Sequence, residues 1–265
     1  MAVTLRSHAG YYRLDGGCWK PRNLPPGIHR TGLIPEVAQL LALVMETALI
    51  IGASGGIGSA LSGALEARSV RVTRLSRRKD GLDVTDEASV KAALGRLDGV
   101  FDLVFVATGA LEIDGAQPEK ALSQVTSRAM ADQFMLNCVG PSLVLGHARH
   151  LLPRDRSSVF AALSARVGSI GDNRMGGWYS YRTSKAALNQ MIRGASIELA
   201  RTHPKAACVA LHPGTVATAF TEKYLGRHPS VTPQEAAQNL LMVIDGLDAE
   251  DTGGFYDWQG ETVPW

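Results

Sequence analysis

The stretch Thr47-Ala48-Leu49-Ile50-Ile51-Gly52-Ala53-Ser54-Gly55-Gly56-Ile57-Gly58 decides the fold. Five residues of strand character run into a glycine turn, and Ser59 to Arg68 continue with a helical pattern. A buried strand, a glycine turn and a helix start, in that order, make a phosphate-binding unit. The glycines let backbone N–H groups approach a ligand closely, and the helix start carries partial positive charge. Gly52, Ser54, Gly56, Ile57 and Gly58 are therefore candidate dinucleotide contacts. The spacing is Gly-x-x-x-Gly-x-Gly, which departs from the commoner Gly-x-Gly-x-x-Gly. The competing reading is a tight turn that needs glycine and binds nothing.

Outward from this unit, short apolar strands alternate with helices. Strands are predicted at 47–51, 70–75, 82–84, 103–107, 158–163, 207–211 and 254–258. Helices are predicted at 57–68, 86–97, 123–152, 181–202 and 233–247, the third with an interruption near Gly140-Pro141. This alternation predicts an α/β fold: a single-domain, doubly wound parallel sheet (Rossmann-like) of about seven strands with helices on both faces. Ligands of such sheets bind at the carboxyl ends of the strands.

The chain has 265 residues and a formal net charge of +2. Residues 1–44 hold Arg6, Arg13, Lys20, Arg22 and Arg30 against Asp15 and Glu36. They are rich in proline and glycine and read as an irregular N-terminal extension, with one short helix at Glu36 to Met45. Two readings of the extension stand side by side: a functional segment, or a dispensable one preceding the true start. Residues 45–265 form the predicted domain. No basic footprint for nucleic acid is present. No apolar run is long enough to span a bilayer. Three widely spaced cysteines, Cys18, Cys138 and Cys208, show neither a disulfide framework nor metal spacing, which points to a reducing, cytoplasmic setting.

After the second predicted strand the chain reads Arg74-Leu75-Ser76-Arg77-Arg78-Lys79, with no acidic residue from Val70 to Lys79. In a dinucleotide fold this point faces the adenosine ribose. An acid there holds a free 2′-hydroxyl, and arginine accommodates a 2′-phosphate. Arg77, then Arg78, are the candidates, and NADP(H) is favoured over NAD(H). A solvated basic turn is the alternative. Asp83-Val84 follows the next strand, where Asp83 serves either the adenine amino group or the cap of the following helix. Thr108-Gly109 follows the fourth strand, as a ribose contact or a plain turn.

Tyr181 and Lys185 stand four apart at a predicted helix start, on one helical face. A phenol with pKa near 10 is a poor acid at neutral pH, and a nearby ammonium favours its phenolate. Such a tyrosine can protonate a carbonyl oxygen while hydride reaches the carbon. Ser164, just after the 158–163 strand, can hydrogen-bond the same oxygen. Asn137, before Gly140-Pro141, is either a buried residue holding a water next to Lys185 or a surface residue. Neighbouring tyrosine and lysine on a helix surface are the bland alternative for the pair.

Together, Gly52-x-x-x-Gly56-x-Gly58, Asp83, Thr108-Gly109, Asn137, Ser164, Tyr181-x-x-x-Lys185 and His212-Pro213-Gly214-Thr215-Val216 occur in the order found in short-chain dehydrogenases/reductases, and residues 47–265 resemble that family. The run Ser164 to Lys185 and the ending Gly254 to Trp265 resemble its C-factor/carbonyl-reductase-like branch. The resemblance implies an enzyme exchanging hydride between NADP(H) and a small carbonyl or alcohol substrate. Tyr181 would be the acid–base and Lys185 its pKa-lowering partner and ribose ligand. Ser164 would polarise the substrate, Asn137 would complete the proton relay, and Pro213, Gly214, Val216 and Thr218 would contact the nicotinamide half. It also implies a homodimer or homotetramer through regions 123–152 and 181–202. A C-factor-like signalling protein that binds the cofactor with little turnover is the alternative. Two features depart from the usual pattern. Ser164 and Tyr181 are 17 positions apart, so the loop between them must bulge, and Thr108-Gly109 replaces the common Asn-Ala-Gly. Substrate is expected under a loop from Ala217 to Val231 carrying Phe220, Tyr224 and Leu225.

Overall fold

The computed structural model describes residues 11–14, 18–21, 45–218, 221, 223 and 230–265. The chain divides into two units, Met1–Val44 and Met45–Trp265. In the first, β1 (Tyr11–Leu14) and β2 (Cys18–Pro21) pair antiparallel, with Tyr11 opposite Pro21 and Leu14 opposite Cys18. This differs from the irregular reading of the segment. A glycine- and proline-rich composition argues against one long element but leaves room for short strands. The helix expected at 36–45 lies outside the described residues except for Met45, which belongs to no element.

The second unit is built on β3 (Thr47–Ile51), β4 (Arg71–Leu75), β5 (Leu103–Val106), β6 (Ser158–Leu163), β7 (Ala206–His212) and β8 (Phe255–Asp257). They form one parallel sheet in the order β4-β3-β5-β6-β7-β8. The chain leaves β3 toward β4 on one side and resumes at β5 on the other. The order therefore reverses at β3, and a crevice opens at its carboxyl end. Residues 48–51 and all of β5 and β6 are buried, as strands covered on both faces must be. Helix α1 (Gly56–Ala67) follows the glycine turn, α2 (Arg77–Asp80) follows β4, and α3 (Glu87–Leu94) leads to β5. Helices α4 (Ser127–Phe134) and α5 (Gly140–Ala148) lie between β5 and β6. The 24-residue α6 (Tyr179–Thr202) lies between β6 and β7, and α7 (Pro233–Asp245) precedes β8. Helix α1 packs on α7, while α3, α5 and α6 pack in succession, so helices cover both faces.

The sheet has six strands, one fewer than the sequence pattern predicts. Leu82 and Val84 are buried, but they pair with no strand. Between them, Asp83 receives the Thr85 backbone N–H at 2.9 Å and its hydroxyl at 2.7 Å, which curls the segment into a turn. The apolar alternation there records burial against Gly140, where a Cβ would lie 2.9 Å from Val84 Cγ2. The interruption in the 123–152 region falls at Met135–Val139, a wide π turn ending at Gly140, whose N–H bonds the Met135 carbonyl. Pro141 has no N–H to return to the Asn137 carbonyl four residues earlier, so the helix loosens just ahead of the proline.

At the amino end of the sheet, Asp102 is 1% exposed. It accepts the backbone N–H groups of Glu46 (2.9 Å) and Thr47 (3.1 Å), the Thr47 hydroxyl, and Arg156 Nε at 2.8 Å. Burial alone would raise its pKa, and these bonds outweigh burial and hold it below the usual carboxylate range. Asp102→Ala leaves two strand-leading N–H groups without an acceptor. It should lower unfolding free energy by about 3 kcal/mol in urea titrations, with the m-value unchanged.

Candidate active site

The glycine turn closes onto the sheet. Gly52 adopts φ +83° and donates its N–H to the Leu75 carbonyl at 2.8 Å. A Cβ on Gly58 would collide with the Gly52 carbonyl, and one on Gly56 would lie 2.7 Å from Thr218 Cγ2. Gly55, at the cap position of α1, supplies no side-chain acceptor, so the first-turn N–H groups of the helix stay available to an anion. These are the features a phosphate cradle requires.

A cavity of about 310 Å³ opens beyond the turn. Gly56, Ile57, Thr108, Gly109, Ser164, Tyr181, Lys185, Pro213, Gly214, Val216 and Thr218 line it, so most of the sequence-predicted residues converge here. Gly55, Ala107, Leu163, Ala165, His212 and Thr221 complete the wall. Thr108 Oγ1 is buried without a partner among the described residues, an orphaned polar atom suited to a ligand hydroxyl. Ser54 instead lines a neighbouring groove of about 630 Å³ with Ser59 and Gln234.

Arg77, Arg78, Asp83, Val84 and Asn137 do not line the cavity. Arg77 and Arg78 stand exposed on α2 at the carboxyl end of β4, with no ion-pair partner among the described residues. The Asp80 carboxylate folds back to accept the Ser76 N–H at 2.8 Å and its hydroxyl at 3.0 Å. An acid thus sits at the strand end that the Val70–Lys79 window did not contain. Asp83 is not the cap of α3. Asp86 fills that position, accepting the Ala88 N–H at 3.0 Å. The Asp83 carboxyl is held low chiefly by its Thr85 bonds, against the effect of burial, with Arg77 adding attraction.

Asn137 is fully buried within the π turn. Its Oδ1 accepts the Ala110 N–H at 3.1 Å, and its Nδ2 donates to the Ala110 carbonyl at 2.9 Å and to Gln133 Oε1 at 2.5 Å. A Cβ on Gly109 (φ +156°) would lie 2.8 Å from Asn137 Oδ1 and 3.5 Å from Lys185 Nζ. That glycine therefore lets the backbone pass both groups.

Lys185 is 3% exposed and donates from Nζ to the Leu163 carbonyl at 2.9 Å. Nζ lies 5.9 Å from the centroid of the Tyr181 ring. Burial pulls the Lys185 pKa down to about 8, with the Cys138 thiol opposing slightly, so the amine is still mostly protonated at neutral pH. Burial pushes the Tyr181 phenol up. The ammonium beside it works in the opposite sense.

The 17-position loop is braced at several points. Gly168 fits against the Lys185 backbone, Arg182 donates to the Gly177 and Val167 carbonyls, and the Gly171 N–H bonds the Trp265 carbonyl at 2.8 Å. Gly176, Gly177 and Trp178 all have positive φ where the chain enters α6.

Two residues here were missed from sequence. Buried Glu119 accepts the Ser180 N–H at 3.2 Å and its hydroxyl, anchoring the start of α6. Sixty-one positions separate them, and no sequence signal links them. Asn189 accepts the Ser164 hydroxyl at 2.6 Å. Its signal was available, because it continues the four-residue spacing of Tyr181 and Lys185. Phe220, Tyr224 and Leu225, expected over the substrate, lie outside the described residues.

Residues 46–227 match the family described as short chain dehydrogenase. The chain belongs to the short-chain dehydrogenase/reductase family. It is an oxidoreductase of that family. It is 32% identical over 236 residues to 1-hydroxy-2-glutathionyl-2-methyl-3-butene dehydrogenase of Rhodococcus sp. (strain AD45), covering 83% of this chain and all of that one. It is 37% identical over 146 residues to the C-signal protein of Myxococcus xanthus, covering 55% of this chain and 84% of that one. Among solved structures it resembles NADPH-bound carbonyl reductase from chicken fatty liver, with a TM-score of 0.72 and 26% identity over 89% of this chain and all of that one.

Burial, with some help from Arg166, lowers the His212 pKa from 6.5 to about 4. Between those values the unfolded chain binds a proton that the folded one refuses. Stability from this residue is complete above pH 6.5 and is lost as pH falls toward 4, by up to about 3 kcal/mol. His212→Gln should flatten the decline of the urea midpoint over that range.

Proposed function

We propose that this member of the family transfers hydride between NADP(H) and a small carbonyl or alcohol substrate, with Tyr181 as the acid–base. The observation that carries this reading is the meeting of Ser164, Tyr181 and Lys185 at one cavity beside an uncapped helix start. The turn from Gly52 to Gly58 would hold the pyrophosphate. Thr108 and Gly109 would meet the ribose, Asp83 and Val84 the adenine, and Pro213, Gly214, Val216 and Thr218 the nicotinamide half. The exposed guanidinium groups of Arg77 and Arg78 would meet a 2′-phosphate through their planar donors. The bound cofactor supplies or accepts the hydride.

Tyr181 delivers a proton to the substrate oxygen from inside a dry wall, where positioned donors are stronger than in water. Lys185, fixed through the Leu163 carbonyl, keeps a positive charge 5.9 Å from the ring and draws the phenol toward its phenolate form. Ser164 holds the substrate oxygen. Asn137 braces the Ala110 backbone and would complete the proton relay through Lys185. A homodimer or homotetramer is the proposed assembly, in a cytoplasmic setting. Among the described residues no helix is long and apolar enough to cross a membrane.

In a panel of aldehydes and ketones offered with NADPH and NADH, the protein should oxidise NADPH faster. Tyr181→Phe should lower kcat by about 10²- to 10⁴-fold without loss of cofactor binding. Turnover by Tyr181→Phe at the unaltered rate would sink the assigned role. Arg77→Glu should raise KM for NADPH by about tenfold or more, one charge-assisted contact's worth, and leave that for NADH nearly unchanged. The match to C-signal favours a second reading, cofactor binding in a signalling role. Tight NADPH binding with no turnover across the whole panel would select it.

A further inference from the structure

One buried polar group beside the site has no role in the chemistry above. Asn189 lies on α6 four residues after Lys185 and eight after Tyr181, on the same face, and is 3% exposed. Its Oδ1 accepts the Ser164 hydroxyl at 2.6 Å, while its Nδ2 is buried with no partner among the described residues. In this arrangement the one proton of Ser164 is committed to Asn189, and the hydroxyl can only accept. A carbonyl oxygen has no proton to offer, so Ser164 must donate to hold it. A half-turn of the Asn189 amide resolves both problems. Nδ2 then donates to the Ser164 oxygen, the hydroxyl proton is released toward the cavity, and Oδ1 takes the partnerless place. A carbonyl oxygen tolerates that place better than an N–H does.

We propose that Asn189 is a positioning residue: with its amide nitrogen turned to Ser164, it directs the Ser164 hydroxyl at the substrate carbonyl oxygen. The inference rests on the carbonyl-reducing reading of the site. It also separates two hydrogen-bonding states of one serine, a donor toward carbonyls and an acceptor when Oδ1 faces it.

The test compares the full-length protein with Asn189→Asp and Asn189→Leu, each with and without Ser164→Ala. Activity is measured with NADPH and the best carbonyl of the panel. Asn189→Asp offers Ser164 only acceptor oxygens. Asn189→Leu removes the partner without adding charge, so the test survives if a buried carboxylate prevents folding. Each should lower kcat by about tenfold or more, leave KM for NADPH within about twofold, and cause no further loss once Ser164→Ala is present. A readout independent of turnover is the side-chain amide signal of Asn189 in nitrogen-15 spectra of asparagine-labelled protein. In Ser164→Ala one Nδ2 proton loses its acceptor, and its resonance should move upfield. An unmoved amide signal, or full losses persisting in the Ser164→Ala background, overturns the inference alone. A wild-type protein that reduces no carbonyl in the panel overturns the functional reading and this inference together.

Discussion

A buried ammonium is the constraint on which the site depends. Lys185 carries its charge at 3% exposure, which is tolerable only with a fixed hydrogen-bond acceptor. The carboxyl end of β6 supplies the acceptor through Leu163. Gly168 makes room for it, since a Cβ there would press on the lysine, and a Cβ on Gly109 would press on Asn137 Oδ1 beside it. Helix α6 must therefore lie in one register against β6 and the two loops. That register carries Tyr181 to the cavity and Asn189 to Ser164 behind its wall, because all three share one helical face.

The start of α6 is fixed from outside the helix. Trp178 adopts a left-handed conformation after two positive-φ glycines, and its indole, a donor only, offers no side-chain acceptor to the first turn. Glu119 meets that need from the 110–126 segment, taking the Ser180 N–H and hydroxyl. The long loop after Ser164 then bends away over Arg182 and the carboxyl-terminal residues. The extra length between Ser164 and Tyr181 is thus absorbed outside the site, and both side chains still line one cavity. The two ends of the sheet divide the work: Asp102 ties the strand starts together, and every group assigned to chemistry lies past a strand end.

Much of the architecture was legible from periodicity. Buried parallel strands are continuous apolar runs, so β3, β5, β6 and β7 stood out, and the glycine turn marked the crevice. The same signal failed at Leu82–Val84, where two buried side chains flank a turn. Periodicity reports burial and says nothing of hydrogen-bond partners. The helix break was read from Gly140-Pro141, yet the distortion falls on Met135–Val139, because a proline disturbs the turn before it. Asp80 escaped a window that ended at Lys79, and only the folding of α2 returned its carboxylate to Ser76. Asn189 was within reach of helical spacing, but an asparagine on a buried face first reads as core packing.

By itself the sequence determined the strand–turn–helix unit, the alternation of strands and helices from Thr47 onward, the family resemblance and many of the residues that line the cavity. Each of those rests on local pattern or on motif order along the chain. Tertiary structure decided which groups touch. It set Lys185 on the Leu163 carbonyl, Ser164 on Asn189, and Glu119 on the start of α6, across separations of 22, 25 and 61 positions. It also decided the burial that lowers Lys185 to a pKa of about 8 and His212 to about 4. Hydrogen bonding and desolvation act through space over a few ångströms, and neighbours at that distance are settled by packing.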